Sequence, residues 1–315
     1  MKKFLHKLLY YPLWVFWYSL SLLPLRVHYA IGDVFYVLIA KVVKYRRKVI
    51  MKNLRNSFPE KSEKEREGIM RDYYHFFCDY IAETVKFGTM SRESLKRHMV
   101  FRGADEVSRI VNEGQSVALF LGHYGNWEWV TSMKLWLDLI DLPAGYGHIY
   151  HPLENEAMDR LFLSFRNRMG STSVPMRETL RWLLTHKREG RPTILGYIAD
   201  QVPMWQNIHH WLTFFNQETP VFTGVERIAR SQNQAVVYVD IKRVKRGYYE
   251  CDVQVVTRDP ASWPENEITN ECFRRLEATI RRAPQYWLWS HNRWKRTREE
   301  FERHYKIVGG RVLRV

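Results

Sequence analysis

The chain has 315 residues and a formal net charge of +15, and 45% of its residues are hydrophobic and 15% aromatic. This apolar content is enough for a large buried core and excludes an intrinsically disordered chain, and no Gly, Pro or repeat bias points to a fibre. Three scattered cysteines give neither a disulfide framework nor a paired-cysteine metal site.

An uncharged run of 18 residues, Leu8 to Leu25, follows Lys2, Lys3 and Lys7. As a helix it would be about 27 Å long, which barely matches the hydrocarbon core of a bilayer. Its many Tyr and Trp residues favour the headgroup boundary, and no small-residue cleavage site of a signal peptide follows. We predict a retained membrane-anchor helix that either spans marginally or lies in the interface. The alternative is a buried amino-terminal helix of a soluble protein.

The excess positive charge is confined to two short stretches. Residues 41–56 carry seven basic and no acidic residues, and residues 281–315 carry ten Lys or Arg against three Glu. Such clusters attract nucleic-acid phosphates or an anionic membrane surface, or are merely solvated. The neighbouring apolar run favours the membrane, and we predict no nucleic-acid partner. We divide the chain into a membrane anchor with a basic interfacial segment, 1–45, and a main domain, 46–315.

The elements of the main domain alternate between helix and strand. A capping box from Ser62 to Glu65 opens a helix that is predicted to run to about residue 88. Strands are predicted at 116–121, 192–199, 235–241 and 249–255, and helical stretches at 127–139 and 268–280. This alternation predicts an α/β fold with a mixed central sheet flanked by helices, preceded by the membrane-anchor helix.

His123 and Glu128 are the sharpest candidates for chemistry, although two other His–acid pairs in the chain have the same spacing. Only this pair directly follows a predicted buried strand, with Gly122 and Gly125 beside the His and Asn126 as an N-cap for the next helix. A turn there would let Glu128 bend back to the imidazole. We predict His123 as a general base whose tautomer Glu128 fixes, beside a helix N-terminus that can bind an anion or developing oxyanion. A loop His beside a capping Glu is the alternative.

No protein nucleophile accompanies this pair. The sequence lacks a G-x-S-x-G motif, and its cysteines lie in apolar or strand-like settings. The base would therefore activate a substrate hydroxyl or a water. We predict no metal site, because the adjacent His209 and His210 do not easily face one ion together with His148 or His151.

Several segments resemble one known family. Ala118–Glu128 (ALFLGHYGNWE) resembles the active-site segment of the late acyltransferases of lipid A biosynthesis, the lauroyl and myristoyl transferases related to the H-x4-D/E glycerolipid acyltransferases. Three more segments follow the family order. They are Arg46–Glu60 (RRKVIMKNLRNSFPE), Ala199–Gln201, and Pro284–Lys295 (PQYWLWSHNRWK), which looks like the carboxy-terminal signature.

The resemblance implies a membrane-associated O-acyltransferase with a glycerolipid acyltransferase-like fold. Its reaction moves a fatty acyl chain from an acyl carrier protein thioester to a hydroxyl of a lipid A precursor. The implied place is the cytoplasmic face of the inner membrane, and no cofactor is implied beyond this thioester donor. An acidic carrier protein, an anionic membrane and a phosphorylated lipid would all be attracted to the basic stretches.

The resemblance also implies site residues. It carries the base and its orienting acid to the pair described above. It suggests Arg166 and Arg168 for substrate binding or catalytic support, with Arg168 as the better of the two, and Asp200 as a further active-site residue. Asn126 is counted with these supporting residues.

Three departures bear on which lipid is accepted. Tyr124 stands where the family often has Phe, His151 where it often has Arg, and Pro203–His210 lacks an expected glycine. Two other functions remain open: an acyltransferase for another acceptor, a glycerolipid or amino-acid lipid, and a non-catalytic basic protein that binds membranes or nucleic acid. The base-plus-acid pair favours an enzyme, since a binding protein has no use for it.

Overall fold

The computed structural model describes residues 2–140 and 144–315; for residues 2–9 it describes the backbone only, so the predicted basic side chains there lie outside it. The α-helices are α1 (Lys2–Leu22), α2 (Leu25–Tyr36), α3 (Arg47–Ser57), α4 (Glu63–Phe87), α5 (Arg92–His98), α6 (Ala104–Asn112), α7 (Glu156–Arg166), α8 (Thr179–Arg188), α9 (Gly224–Gln232), α10 (Glu267–Arg282) and α11 (Arg298–His304). A π-helix covers Val37–Val42, and 3-10 helices cover Trp129–Trp136, Asn167–Met169, Met176–Glu178, Trp205–Asn207 and Pro284–Tyr286.

The strands are β1 (Met99–Arg102), β2 (Val117–Leu121), β3 (Gly145–Tyr150), β4 (Thr172–Pro175), β5 (Thr193–Ile198), β6 (His210–Phe214), β7 (Gln217–Val221), β8 (Ala235–Lys245), β9 (Tyr248–Thr257), β10 (Tyr305–Val308) and β11 (Arg311–Arg314). Seven of them form a sheet in the order β1-β9-β8-β2-β5-β3-β4. Only β8 and β9 pair antiparallel within it. The predicted α/β architecture with a mixed central sheet is confirmed.

Most predicted elements of the main domain are present. The capping box forms as predicted, with the Ser62 hydroxyl accepting from the Glu65 N–H and the Glu65 carboxylate accepting from the Ser62 N–H. The four predicted strands correspond to β2, β5, β8 and β9, and the late helix to α10. The helix predicted at 127–139 is instead a 3-10 helix from Trp129 to Trp136. Its first residues, Trp129, Val130 and Thr131, are weak α-helix formers because their side chains lose rotamer freedom in a helix.

The amino-terminal helices pack against the main domain. Trp17 of α1 contacts the rings of Phe162 and Phe165 of α7, and α2 packs along α4. In the part of the chain that the structure describes, no single helix is long and apolar enough to cross a membrane. Tyr10–Leu22 and Leu25–Val42 meet that test only as a pair, which is bent by 110°. The division of the chain at residue 45 stays a prediction.

The sheet fixes where the candidate residues meet. Strand β2 is buried at every position and lies beside β5, to which it is parallel. Parallel neighbours end at the same edge of a sheet, so the residues that follow Leu121 and Ile198 come close together. These residues include His123 and Asp200, which are 77 positions apart in the sequence.

Candidate active site

His123 and Asp200 form the centre of the site. The imidazole Nδ1 lies 2.6 Å from Asp200 Oδ1, and the backbone N–H of His123 donates to Asp200 Oδ2 at 2.9 Å. The Asp200 side chain is only 1% exposed, whereas that of His123 is 18% exposed. Burial alone would raise the pKa of Asp200, but the charge of the His123 imidazolium and its hydrogen bonds outweigh burial and lower the pKa to about 2. Asp200 is therefore an anion when it faces the ring.

This contact determines the tautomer of the ring. An ionised carboxylate only accepts hydrogen bonds, so Nδ1 carries the proton and donates to Asp200. The lone pair is then on Nε2, where the Gln201 amide nitrogen donates at 3.3 Å. The edge of the Trp127 ring lies against the imidazole, with 5.2 Å between the ring centroids. His123 is thus held with Nε2 unprotonated, and its lone pair accepts from Gln201.

Glu128 has a different partner from the one predicted. Its carboxylate accepts from Arg166 Nε at 2.7 Å and from Arg166 Nη2 at 2.5 Å. Burial opposes the ionisation of Glu128, but the hydrogen bonds and charge of Arg166 hold its pKa below the usual value. The guanidinium engages both carboxylate oxygens in a bidentate pair, which has the geometry of a strong charge-assisted contact. In the described structure the predicted contact between Glu128 and the His123 imidazole is therefore replaced by one with Arg166, and the orienting contact comes from Asp200.

The two predicted arginines separate. Arg166 lies on Glu128 with its side chain 24% exposed, beside the ring of Phe162. Arg168 instead donates from Nη1 to the carbonyls of Phe87, at 3.0 Å, and Met90, at 2.6 Å. These bonds fasten Arg168 to the carboxyl end of α4 and the loop behind it. The structure therefore brings Arg166 rather than the favoured Arg168 to the predicted acid.

Asn126 was predicted as the N-cap of the next helix, but Glu128 occupies that position of the 3-10 helix, and Asn126 is part of a buried network. Its Oδ1 accepts from the backbone N–H of Trp129 at 3.1 Å, and its Nδ2 donates to Glu83 at 2.8 Å. Glu83 is fully buried and also accepts from the hydroxyls of Tyr29 and Tyr249. Burial raises its pKa above the usual value for Glu. This network fixes the turn between His123 and Glu128, and sequence reasoning missed Glu83 because its partners come from three distant elements.

Trp287 and Gln201 are further site residues that sequence reasoning did not assign. The Trp287 indole N–H donates to Asp200 Oδ2 at 2.7 Å. Trp287 stands in the carboxy-terminal segment whose likeness to the family signature was noted without a role. Gln201 directly follows Asp200, so its place next to a strand end was the available signal.

The other histidines face different partners. His209 Nδ1 contacts the Gly310 carbonyl, and His210 Nε2 contacts the Asn270 side chain. Among residues 2–140 and 144–315, no group of three or more His, Cys, Asp or Glu side chains is arranged to hold a metal ion.

The site has the groups for base catalysis on a hydroxyl. The three cysteines are buried and free, and burial raises the pKa of Cys78 to about 12, so that its thiol is a poor nucleophile. A His–Asp pair with an accessible Nε2 can remove a proton from a bound hydroxyl while the carboxylate stabilises the resulting imidazolium.

Comparisons with known proteins identify the family of the chain. The family of bacterial lipid A biosynthesis acyltransferases matches residues 1–296. Over 303 residues the chain is 22% identical to the lipid A biosynthesis palmitoleoyltransferase of Escherichia coli, with 93% of this chain and 95% of that protein covered. It is 20% identical over 287 residues to a lipid A biosynthesis acyltransferase of Haemophilus influenzae, which covers 89% of this chain and 86% of that protein. The resemblance found in the sequence is confirmed, and the chain belongs to the bacterial lipid A biosynthesis acyltransferase family.

Proposed function

We propose that this protein transfers a fatty acyl chain from an acyl carrier protein thioester to a hydroxyl of a lipid A precursor. The single observation that carries the proposal is the buried contact between His123 and Asp200, which leaves Nε2 of the imidazole unprotonated in a chain of this family. Membership of the family supports acyl transfer as the reaction type. The tautomer of His123, with its lone pair on Nε2, supports this residue as the general base.

In the proposed mechanism the acceptor hydroxyl gives its proton to His123 Nε2 as its oxygen attacks the thioester carbonyl carbon. The tetrahedral intermediate then collapses, the carbon–sulfur bond breaks, and the departing sulfur takes the proton from the imidazolium. The products are an ester and the free thiol of the carrier. Asp200 stabilises the imidazolium while it exists. No protein nucleophile is needed, because the thioester is already an activated acyl donor.

Arg166 and Glu128 have a separate role in this proposal. A planar guanidinium can grip phosphate or a developing oxyanion with parallel hydrogen bonds, which an ammonium group does not reproduce. Glu128 holds Arg166 through two of its N–H groups, and the side chain keeps a solvent-exposed fraction of 24%. We assign Glu128 to positioning this arginine rather than the imidazole, and Arg166 to the phosphorylated acceptor or the oxyanion.

A transfer assay with the purified full chain tests the function. We expect acylation of a lipid A precursor, followed by mass spectrometry, and thiol release that requires both the acceptor and the acyl carrier protein thioester. Parallel reactions offer acyl-CoA as donor, and a glycerolipid or an amino-acid lipid as acceptor. Preferred acylation of one of those acceptors would replace lipid A with that substrate. Thiol release of equal rate without any acceptor would contradict a transferase.

We propose that the amino-terminal helices lie in the membrane interface at the cytoplasmic face of the inner membrane. Each helix packs one side on the domain, and its other side exposes large apolar residues. The most exposed are Tyr11, Val15, Phe16, Leu22, Val34, Val42 and Val43. A helix that spans the membrane would have to separate from the domain. In contrast, α1 and α2 can stay packed on the domain while their apolar face is buried at the headgroup boundary.

The basic segment next to these helices supports the same placement. Lys41, Lys44 and Lys48 are exposed, and Lys41 and Lys44 flank Val42 and Val43 of the apolar face. Basic residues near an anionic surface contribute roughly 1 kcal/mol each. An apolar face flanked by exposed lysines fits the headgroup boundary of an anionic membrane.

Charged substitutions on the exposed face test this placement. Replacing Val34 and Val42, which are 71% and 68% exposed, with Glu should weaken binding to anionic phospholipid vesicles by at least about tenfold, since two aliphatic side chains no longer leave water. Binding is measured by vesicle cosedimentation at two salt concentrations. The control replaces Met176 and Leu180, exposed on the 3-10 helix Met176–Glu178 and on α8, with Glu. Equal losses for both pairs, or none for either, would contradict the assigned face.

A further inference from the structure

The carboxy-terminal signature segment lies directly against the turn that carries the base. We call residues 286–291 the strap. The backbone N–H of Leu288 donates to the His123 carbonyl at 3.1 Å, and the Gly125 N–H donates to the Tyr286 carbonyl at 3.0 Å. An isolated antiparallel bridge joins the two segments between these bonds. The strap therefore fixes the backbone of this turn at His123 and at Gly125, on both sides of Tyr124.

One strap side chain also reaches the acid of the site. Trp287 is buried, and its indole N–H donates to Asp200 Oδ2, the same oxygen that accepts from the His123 N–H. The other oxygen, Oδ1, is thereby left to face Nδ1 of the imidazole. Two fixed donors on Oδ2 allow the carboxylate one orientation, so Trp287 takes part in deciding how Asp200 meets the ring.

The strap is hydrogen-bonded to a second family-like segment, Arg46–Glu60, for which the sequence suggested no role. Asn53 of α3 donates from Nδ2 to the carbonyls of Trp289 and His291, both at 2.9 Å. Arg46 donates from Nη1 to the Ser290 carbonyl at 3.0 Å. Asn53 is almost fully buried, so these bonds exchange little with water. The segments 46–60 and 284–295 thus form one support behind His123 and Asp200.

We propose that Trp287 is a positioning residue of the acyl transfer, acting on Asp200 through its indole N–H and on the turn through the strap. The role of Asp200 in that transfer rests on the proposed function above. Trp287 does not touch the reacting atoms. It limits the carboxylate to the orientation that keeps the proton on Nδ1 and the lone pair on Nε2 of His123.

Removing only the indole N–H of Trp287 is expected to shift the pH dependence of the rate in one direction. In Trp287→Phe the ring still packs in the aromatic cluster, but Asp200 loses one of its donors. The carboxylate then carries more negative charge towards Oδ1 and binds the Nδ1 proton of the imidazolium more tightly. The acid limb of the pH–rate profile is therefore expected to move upward.

Trp294→Phe is a matched control. Trp294 is also buried in the aromatic cluster against Phe214, and its indole N–H donates to the Thr219 hydroxyl at 2.8 Å rather than to the acid. Both variants lose one indole N–H and the same ring volume. We expect Trp287→Phe to lower kcat by about 10–100-fold with little change in KM, since a hydrogen bond to a buried charge is lost, and Trp294→Phe to stay within about threefold of wild type.

The decisive measurement is the pair of pH–rate profiles, with the thermal unfolding midpoint as a check on packing. An upward shift of the acid limb in Trp287→Phe alone supports the proposal. Equal activity losses in both variants with unchanged pH profiles would reduce Trp287 to a packing residue and overturn it.

A second readout needs no substrate. The Nδ1 proton of His123 shared with Asp200 should give a low-field proton resonance in the full chain, identified by its absence in His123→Ala. Its position should change in Trp287→Phe and not in Trp294→Phe. If wild type lacks transfer activity while this resonance responds as expected, the reaction is wrong and the positioning role holds. If the resonance is unchanged in both variants, the positioning role is wrong.

Discussion

Replacing His123 with Ala is expected to lower the rate of acyl transfer by about 10²–10⁴-fold, which is the usual contribution of a general base. The side chain lies on a turn and is 18% exposed, and its truncation removes the contact with the Trp127 ring and the hydrogen bond to Asp200 but no part of the sheet. The backbone N–H of residue 123 still donates to Asp200 in the variant. The fold should therefore persist, with a circular dichroism spectrum like that of wild type.

His209→Ala is the control for this variant. His209 is also partly exposed, and its ring is hydrogen-bonded to the Gly310 carbonyl rather than to a carboxylate. Initial rates are measured at saturating donor and acceptor across pH. We expect His209→Ala to act like wild type. A His123→Ala enzyme with more than about a tenth of the wild-type rate would mean that another group is the base.

Local features of the fold could be predicted from the sequence. The capping box at Ser62 and the apolar periodicity that follows fix α4, because both depend only on residues a few positions apart. The same holds for the buried strand β2. Asn126 does accept from the backbone N–H of Trp129, although Glu128 rather than Asn126 is the N-cap. These signals are short in range, and the structure follows them.

The pairing of the site could not be predicted in the same way. Spacing along the chain favours the acid five positions after His123, whereas the sheet order brings in Asp200 from the end of the neighbouring strand. Glu128 instead forms a bidentate ion pair with Arg166, which is 38 positions away in the sequence. Which strands are neighbours is a property of the whole sheet, and no local pattern states it.

The helix predicted at 127–139 shows the same division between local and distant causes. Its position after the turn that carries His123 was predictable, but its 3-10 geometry was not. Trp129 is completely buried, with the rings of His98 and Tyr249 packed edge-on against it. Packing of this kind acts on a segment whose first residues already have a weak preference for the α-helix.

Asp200→Asn is the second change with a large expected effect, about 10³–10⁴-fold on kcat, because it should install the wrong tautomer of His123. Two N–H groups, from the His123 backbone and the Trp287 indole, point at Oδ2. An asparagine will place its carbonyl oxygen there, since only an oxygen accepts from them. Its NH₂ group then faces Nδ1 and donates to it, which leaves the ring proton on Nε2. The nitrogen that must accept the substrate proton is then already protonated.

Glu128→Gln separates the two carboxylates. If Asp200 orients the base, Glu128→Gln weakens the hold on Arg166, which should raise KM for a phosphorylated acceptor or lower kcat while the acid limb of the pH–rate profile stays in place. If Glu128 orients the base, as its sequence spacing suggested, Glu128→Gln should move that limb and Asp200→Asn should not. Rates of both variants across pH, on one acceptor and one donor, decide between the two assignments.

The stability of Asp200→Asn gives a test that does not depend on activity. The pKa of Asp200 is lowered in the folded protein, to about 2, so the ionised carboxylate stabilises the fold above the pKa of an unfolded Asp, near pH 4, and this contribution disappears as the pH falls towards 2. A shift of this size corresponds to roughly 2 kcal/mol in the free energy of unfolding. Wild type should therefore exceed Asp200→Asn in stability at pH 7, and the difference should shrink between about pH 4 and pH 2. Denaturant unfolding at several pH values measures it, and a difference that does not change over that range would show that Asp200 is not held as an anion by His123 and Trp287.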